Sequence, residues 1–254
     1  MATLDRSGLV LEFSDDFSTA ELDTAHWFPY YLPHWSSRAA TAARFEVGSG
    51  LRLRIDEDQA PWAEEWDGPL RATALQTGSR SGRVGSPDGQ LRFRDDLVVR
   101  EEQAEEWLYT PTGGVVELRA RATRDAAAMV ALYLIGDEKS PERSGELCVM
   151  EVFGREVADD HALVGLGIHP WGDPALRDDF VKVRLDGDGT DWHDYAVEWM
   201  PGRSRFYIDD ELVHESPQAP GYPMQLMLTV YEFEHVAPHP KVFDVALVRG
   251  WRRL

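Results

Sequence analysis

Val181-Lys182-Val183-Arg184-Leu185 alternates apolar and charged side chains with a period of two, the pattern of a strand with one face in a core and the other in water. Leu51-Arg52-Leu53-Arg54-Ile55 and Val116-Glu117-Leu118-Arg119-Ala120-Arg121 repeat it. Residues 127–135, 163–168 and 224–230 are instead apolar on both faces. That predicts strands of a sheet with core on one side and a lined cleft on the other. Ser86-Pro87-Asp88-Gly89, Pro111-Thr112-Gly113-Gly114, Asp186-Gly187-Asp188-Gly189 and Pro201-Gly202 interrupt the pattern with residues that accept turn dihedrals. Many short strands with frequent turns predict an all-β fold, a two-sheet β-sandwich. Helical signals are confined to Ser18–Trp27 and Arg100–Trp107, and neither could carry the core.

A chain of 254 residues, 43% hydrophobic and 11% aromatic, buries a large core, and without an internal repeat or linker residues 1–254 read as one domain. The formal net charge of −19 repels phosphate backbones and anionic membranes, so neither nucleic acid nor membrane is an expected partner. Neutral or cationic ligands remain. The single cysteine, Cys148, excludes an internal disulfide, and a monomer held by packing alone is expected. Met1 to Arg6 lack a charged-then-apolar signal pattern, and no apolar run approaches the roughly 18 residues of a membrane span. Compartment stays open: cytoplasmic as the chain stands, secreted were a leader to precede it.

Gly145-Glu146-Leu147-Cys148-Val149-Met150-Glu151 sets two carboxylates five positions apart in an otherwise apolar strand, where burial without a partner or purpose is costly. Either both face water on an exposed strand, or they form a site. Positions five apart face opposite sides of a regular strand, so a cooperating pair requires one extra residue, a β-bulge near Val149 or Met150. Glu146, Cys148 and Glu151 would then share a face. Their outer Cα atoms would lie roughly 13 Å apart at about 3.3 Å per step, close enough for leaning side chains to approach the roughly 5 Å of a retaining glycosidase pair.

Glu146-Leu147-Cys148-Val149-Met150-Glu151 resembles the E-x-D-x-x-E strand of glycoside hydrolase family 16, the β-glucanase and laminarinase family, with Cys148 in place of the central Asp. The likeness runs in order along most of the chain. It includes Asp15-Asp16-Phe17 with Leu22-Asp23 and Trp27, then Gly114 to Ala120, similar to a G-x-v-E-x-R-a strand. Trp192 to Trp199 with Arg205 to Asp210 resembles an F-H-x-Y-x-x-E-W strand and its hairpin, and Phe243 to Arg249 a closing V-D-Y-V-R-V strand. The resemblance implies a concanavalin A-like jelly roll with a concave substrate cleft. It also implies a retaining, endo-acting double displacement on β-linked carbohydrate: Glu146 attacks the anomeric carbon, and Glu151 protonates the leaving oxygen and then activates water. A β-1,3-type glucan is the expected substrate. Cys148, a thiol with an ordinary pKa of about 8.5, leaves three readings open: a site with shifted pH dependence, sugar binding without hydrolysis, or a thiol that acts itself.

Sugar sites stack aromatic faces on ring C–H groups and aim polar side chains at hydroxyls. Tyr31, His34 and Trp35 in the loop Tyr30 to Trp35, and Trp62 with Trp66 beside Glu64-Glu65, are candidates for the cleft. Tyr133 stands where the family's strand often has Trp, and His169 and Trp171 follow the catalytic strand where a His can reach the acid/base. Gln76, Arg71, Tyr231 and Glu232 reach it if their strands face it. His193, His214, His235 and His239 lack metal-like spacing with one another, and no cofactor is required. Some family members hold a structural calcium at the position of Asp244. Three rivals remain: a lectin-like module that binds carbohydrate without turnover; a polysaccharide lyase, against which the negative charge and the paired glutamates argue; and a structural interaction domain, which leaves the carboxylate pair unexplained.

Overall fold

The computed structural model describes residues 2–254, and its strands follow the alternation of the chain. In order they are β1 (Leu9–Asp15), β2 (Phe45–Glu46), β3 (Leu51–Ile55), β4 (Arg71–Gln76), β5 (Gly78–Ser79), β6 (Glu106–Trp107), β7 (Gly114–Arg121) and β8 (Ala128–Gly136). They continue with β9 (Glu146–Phe153), β10 (His161–His169), β11 (Asp179–Asp186), β12 (His193–Met200), β13 (Arg203–Ile208), β14 (Glu211–Ser216), β15 (Met224–Glu232) and β16 (Lys241–Arg253). Eight form one antiparallel sheet in the order β14-β13-β12-β7-β16-β3-β2, with β1 also paired to β16; six form a second in the order β11-β10-β9-β8-β15-β4. This is the two-sheet jelly roll expected of the sequence.

Leu53, Leu118, Val197, Phe206 and Phe243 from the larger sheet meet Leu132, Leu147, Val164 and Leu226 from the smaller one in a dry core. Each such side chain contributes roughly 1.5–3 kcal/mol on burial. The smaller sheet is buried on its other face as well. There Tyr31, Trp35, Trp62 and Leu97, carried by loops, close over Ala74, Ala131, Tyr133 and Met227. Every residue of β8 and of β15 is therefore buried, which explains why those stretches lack alternation, whereas β11 at the sheet edge alternates.

Neither helical expectation is realised. Residues 18–27 form turns, because Asp15 accepts from the Trp27 indole at 2.8 Å and Asp23 from the Ala25 N–H at 3.0 Å. In Arg100–Trp107 the acidic side chains serve neighbouring loops, Glu101 accepting the Arg38 N–H at 3.1 Å, and the last two residues pair as β6 with β5.

Asp244 does not fit a calcium ligand. On β16 it stands opposite Arg52 of β3 and Arg121 of β7, and its carboxylate accepts from Arg52 at 2.7 and 3.1 Å and from Arg121 at 3.0 and 2.7 Å. Burial works against its charge, but the two guanidiniums win and hold the carboxyl below its usual range. Its charge is already balanced, and two cations would repel a third. Asp244→Asn strips that partner from half-exposed arginines and is expected to cost about 1–2 kcal/mol, a fall in Tm of about 2–8 °C by calorimetry. Added calcium should leave the wild-type Tm unchanged.

Candidate active site

Register fixes where the carboxylates point. Against β8, Cys148 pairs with Tyr133 while Met150 pairs with Leu132; against β10, Cys148 pairs with Gly167 while Glu151 pairs with Gly165. Val149 is thus the extra residue, a bulge at the place the spacing of the glutamates requires. Leu147, Val149, Met150 and Val152 enter the inter-sheet core, and Glu146 and Glu151 line a pocket of about 280 Å³ on the opposite face.

Glu146 is almost fully buried and accepts a 2.8 Å hydrogen bond from the Trp171 indole N–H on Oε2. Burial pushes its carboxyl up to about 7, the charge of His169 and the indole donor hold it back, and Glu151 adds a smaller upward push. Glu151 is half-buried and also raised, again by burial first, with His169 and Lys182 opposing. His169 stands opposite Glu146 in register, 2.8 Å from an Asp178 oxygen through Nδ1 and stacked on Phe180 at 4.6 Å. Gly165 makes room for that ring, since a Cβ there would meet Phe180 at 2.5 Å. Cys148 is buried between the glutamates, its thiol 3.8 Å from the Gly165 carbonyl it donates to. Burial and then the two carboxylates push the thiol well up, so it is neutral.

Tyr31, Tyr133 and Trp171 line the same pocket. The Tyr133 and Tyr231 hydroxyls lie 2.7 Å apart, and Tyr231 donates to Tyr31 at 3.3 Å, a buried chain of three phenols under the glutamates. Trp171 is 53% exposed at the mouth, its backbone in the left-handed region with φ 44°. Leu32, next to Tyr31, and Asp67, Leu91, Phe93 and Met129 complete the lining, none of them foreseen as contacts. Met129 was within reach of the strand pattern, being four residues from Tyr133 and so on the same face. The loop residues carry no such signal.

The remaining expected contacts are corrected by their partners. His34 and Trp35 bond the Gln90 carbonyl at 2.9 and 2.8 Å, fully buried. Gln76 donates to the Tyr30 carbonyl at 2.7 Å and accepts from Gln225 at 3.2 Å. Trp62 donates to Asp67 at 2.9 Å and packs edge-on against Tyr31 at 4.8 Å, behind the wall. These side chains hold the walls, bonded to the Gln90 and Tyr30 carbonyls, to Gln225 of β15 and to Asp67. Arg71 lies 3.7 Å from Glu232, whose carboxylate is fully buried beside His239 at 2.8 Å and Lys241 at 3.8 Å. Glu232, His235 and His239 do bring ligand atoms within 4.8 Å of one another, contrary to their spacing in sequence. Arg71 and Lys241 already balance that carboxylate, so the donor set does not fit a divalent cation.

A model of the family described as Glycosyl hydrolases family 16 matches residues 109–240. A beta-glucanase of Rhodothermus marinus is 28% identical over 134 residues, 48% of this chain and 41% of that protein. Among solved structures, the GlcNAcα1-4Gal releasing endo-β-galactosidase from Clostridium perfringens superposes with a TM-score of 0.86 and 27% identity over 98% of this chain and 64% of that one. The catalytic domain of a Thermotoga petrophila endo-1,3-beta-glucanase gives 0.66 and 15% identity over 96% and 98%, a likeness of fold. The chain thus spans less than two thirds of the first two relatives.

The elevated Glu146 carboxyl makes a stability prediction with a definite sign. Unfolded, it releases its proton near pH 4.3; folded, it holds the proton to about pH 7. Between those values the folded chain binds more protons, so stability falls as pH rises through the window. Glu146→Gln removes that loss: its Tm relative to wild type should climb from pH 5 to pH 8, by a difference on the order of 3 kcal/mol at most.

Proposed function

The chain belongs to glycosyl hydrolase family 16, and from that premise we propose that it is a retaining endo-glycosidase acting on a β-galactoside, with Glu146 as nucleophile and Glu151 as acid and then base. One observation carries the assignment: the Val149 bulge brings both carboxylates to one pocket while leaving them unequally exposed. Glu146, closed off from water with Oε2 engaged by the indole, keeps one oxygen for attack on the anomeric carbon. Glu151, half-exposed, is the group that exchanges protons with water. It donates a proton to the leaving oxygen as the glycosyl–Glu146 ester forms, then takes one from the water that breaks that ester. Both carboxyls are raised by burial, so the acid limb of activity falls above the ordinary carboxylate range. Cys148 takes no part in proton transfer; it is a neutral spacer that adds no third charge.

The whole-chain likeness to the clostridial endo-β-galactosidase favours galactoside over the β-1,3-type glucan expected from the sequence. The β-glucan reading keeps support from the Rhodothermus beta-glucanase. A panel of β-galactoside oligosaccharides, laminarin and mixed-linkage glucan, with the product anomer followed by NMR, decides between them. We expect galactoside cleavage with β-product appearing first. Inverted product would overturn the mechanism, and binding without product would make the chain a lectin-like module. Glu146→Gln should abolish turnover, and Glu151→Gln should lower it roughly 10²–10⁴-fold.

Trp171→Phe keeps the ring and removes the donor to Glu146. The carboxylate loses a stabilising hydrogen bond, so the acid limb of kcat/KM should move up by about one unit, with kcat falling about tenfold and KM nearly constant. A rise in KM with an unmoved limb would instead assign Trp171 to sugar stacking alone.

A further inference from the structure

The charged face of β11, whose alternation places it in water, is also the cleft side of the smaller sheet. Glu151 of β9 stands opposite Gly165 of β10, and Gly165 stands opposite Lys182 of β11, so Glu151 and Lys182 share one row and one face. Two strand spacings separate them, about 10 Å between Cα atoms. Lys182 closes most of that distance. Its ammonium lies 5.1 Å from the ring centre of Phe153, which follows Glu151 on the same face of β9, so the side chain has crossed β10 to reach the strand of the glutamates. There it donates to Glu156 Oε1 at 2.5 Å. Glu156 is set in the tight turn Gly154–Glu156 that follows β9, where a Cβ on Gly154 would strike the Asp125 carbonyl. Glu156 Oε2 is buried with no hydrogen-bond partner among the described residues, a costly arrangement that calls for a purpose.

Among the described residues no hydrogen bond reaches the Glu151 carboxyl, so its proton is governed by burial and by neighbouring charge. Glu146 and Cys148 face it from its own strand, and His169, bonded to Asp178, from β10. Lys182 comes from β11, Glu156 from the turn with Arg155 over the Phe153 ring, and Asp67 from a loop. β8 and β15 present only the neutral phenols of Tyr133 and Tyr231. Burial pushes the Glu151 carboxyl up, His169 and Lys182 oppose it, and Glu156 adds a smaller upward push. We propose that Lys182 is a positioning residue for the acid/base, carrying its charge across β10 to Glu151 from a place fixed by Glu156. Glu151 is ionised once its proton has passed to the leaving oxygen, and a cation beside it stabilises that form. Lys182 thus eases the first proton transfer, while Glu156, a like charge, favours recovery of a proton from water. The two act on Glu151 with opposite sign. The inference rests on the reading of Glu151 as acid and base, but the electrostatic coupling itself needs no turnover.

Carbon-13 NMR titration of the glutamate carboxyls in the intact chain, with the Glu151 signal identified by its loss in Glu151→Gln, tests the coupling without substrate. Lys182→Met should move the Glu151 midpoint up by about half a pH unit or more, Lys182→Arg should restore it, and Glu156→Gln should move it down. Lys182 is partly exposed on the edge strand, so its variants leave the inter-sheet core intact. The basic limb of kcat/KM, where the acid loses its proton, should shift in the same directions on whichever polysaccharide of the panel is cleaved. An unmoved midpoint in Lys182→Met or in Glu156→Gln, or shifts of the same sign in both, would overturn the proposal. Lost activity with an unmoved midpoint would leave Lys182 a merely structural residue. Opposite shifts in a chain that cleaves nothing would sink the glycosidase reading and leave the coupling standing.

Discussion

A β-strand offers its side chains to alternate faces, and that parity is the constraint on which the candidate site depends. Glu146 and Glu151 are an odd number of positions apart, and only the additional residue at Val149 lets both leave the inter-sheet core. The same residue fills space on the other side, because Val149 and Met150 both pack into that core with no exposed surface. The bulge therefore belongs to packing and to chemistry together. It cannot be straightened without sending a carboxylate into hydrocarbon or opening a void between the sheets.

From this follows the electrostatic character of the pocket. Two carboxyls sharing a poorly hydrated space with one imidazole and one indole donor cannot both ionise at low pH, and burial dominates each of them. A third carboxyl between them would add to the repulsion; a thiol that donates to the Gly165 carbonyl does not. The difference in exposure between the two glutamates then separates their proposed roles, one sheltered and one in touch with water.

The sandwich was legible because period-two alternation and turn residues are local signals, and the bulge was legible because it follows from counting positions between two glutamates. What lay beyond the sequence is what depends on register or on loops. Asp244 reads as an acid in a strand, and only its alignment with Arg52 and Arg121 reveals that its charge is taken. His34, Trp35 and Gln76 read as sugar contacts because their chemistry suits hydroxyls, yet the same hydrogen-bonding capacity serves the Gln90 and Tyr30 carbonyls. Glu232, His235 and His239 converge through a loop path that no spacing rule describes. Asp67, Leu91 and Phe93 belong to loops without a period, so nothing in their neighbourhood announces which way they face.

The apolar cover on the outer face of the smaller sheet has a consequence for how such a protein diversifies. Tyr31, Trp35, Trp62 and Leu97 wall the cleft or back its walls, and they also keep water off β8 and β15. In most enzymes a surface loop is free to drift, because its loss leaves the scaffold standing. Here a loop exchanged to accept a new sugar uncovers Met129, Ala131, Tyr133 and Met227, the apolar side chains those two strands present on that face. Lineages of this chain are thus expected to change substrate through a few side chains at the loop tips, or only after stability has been gained elsewhere.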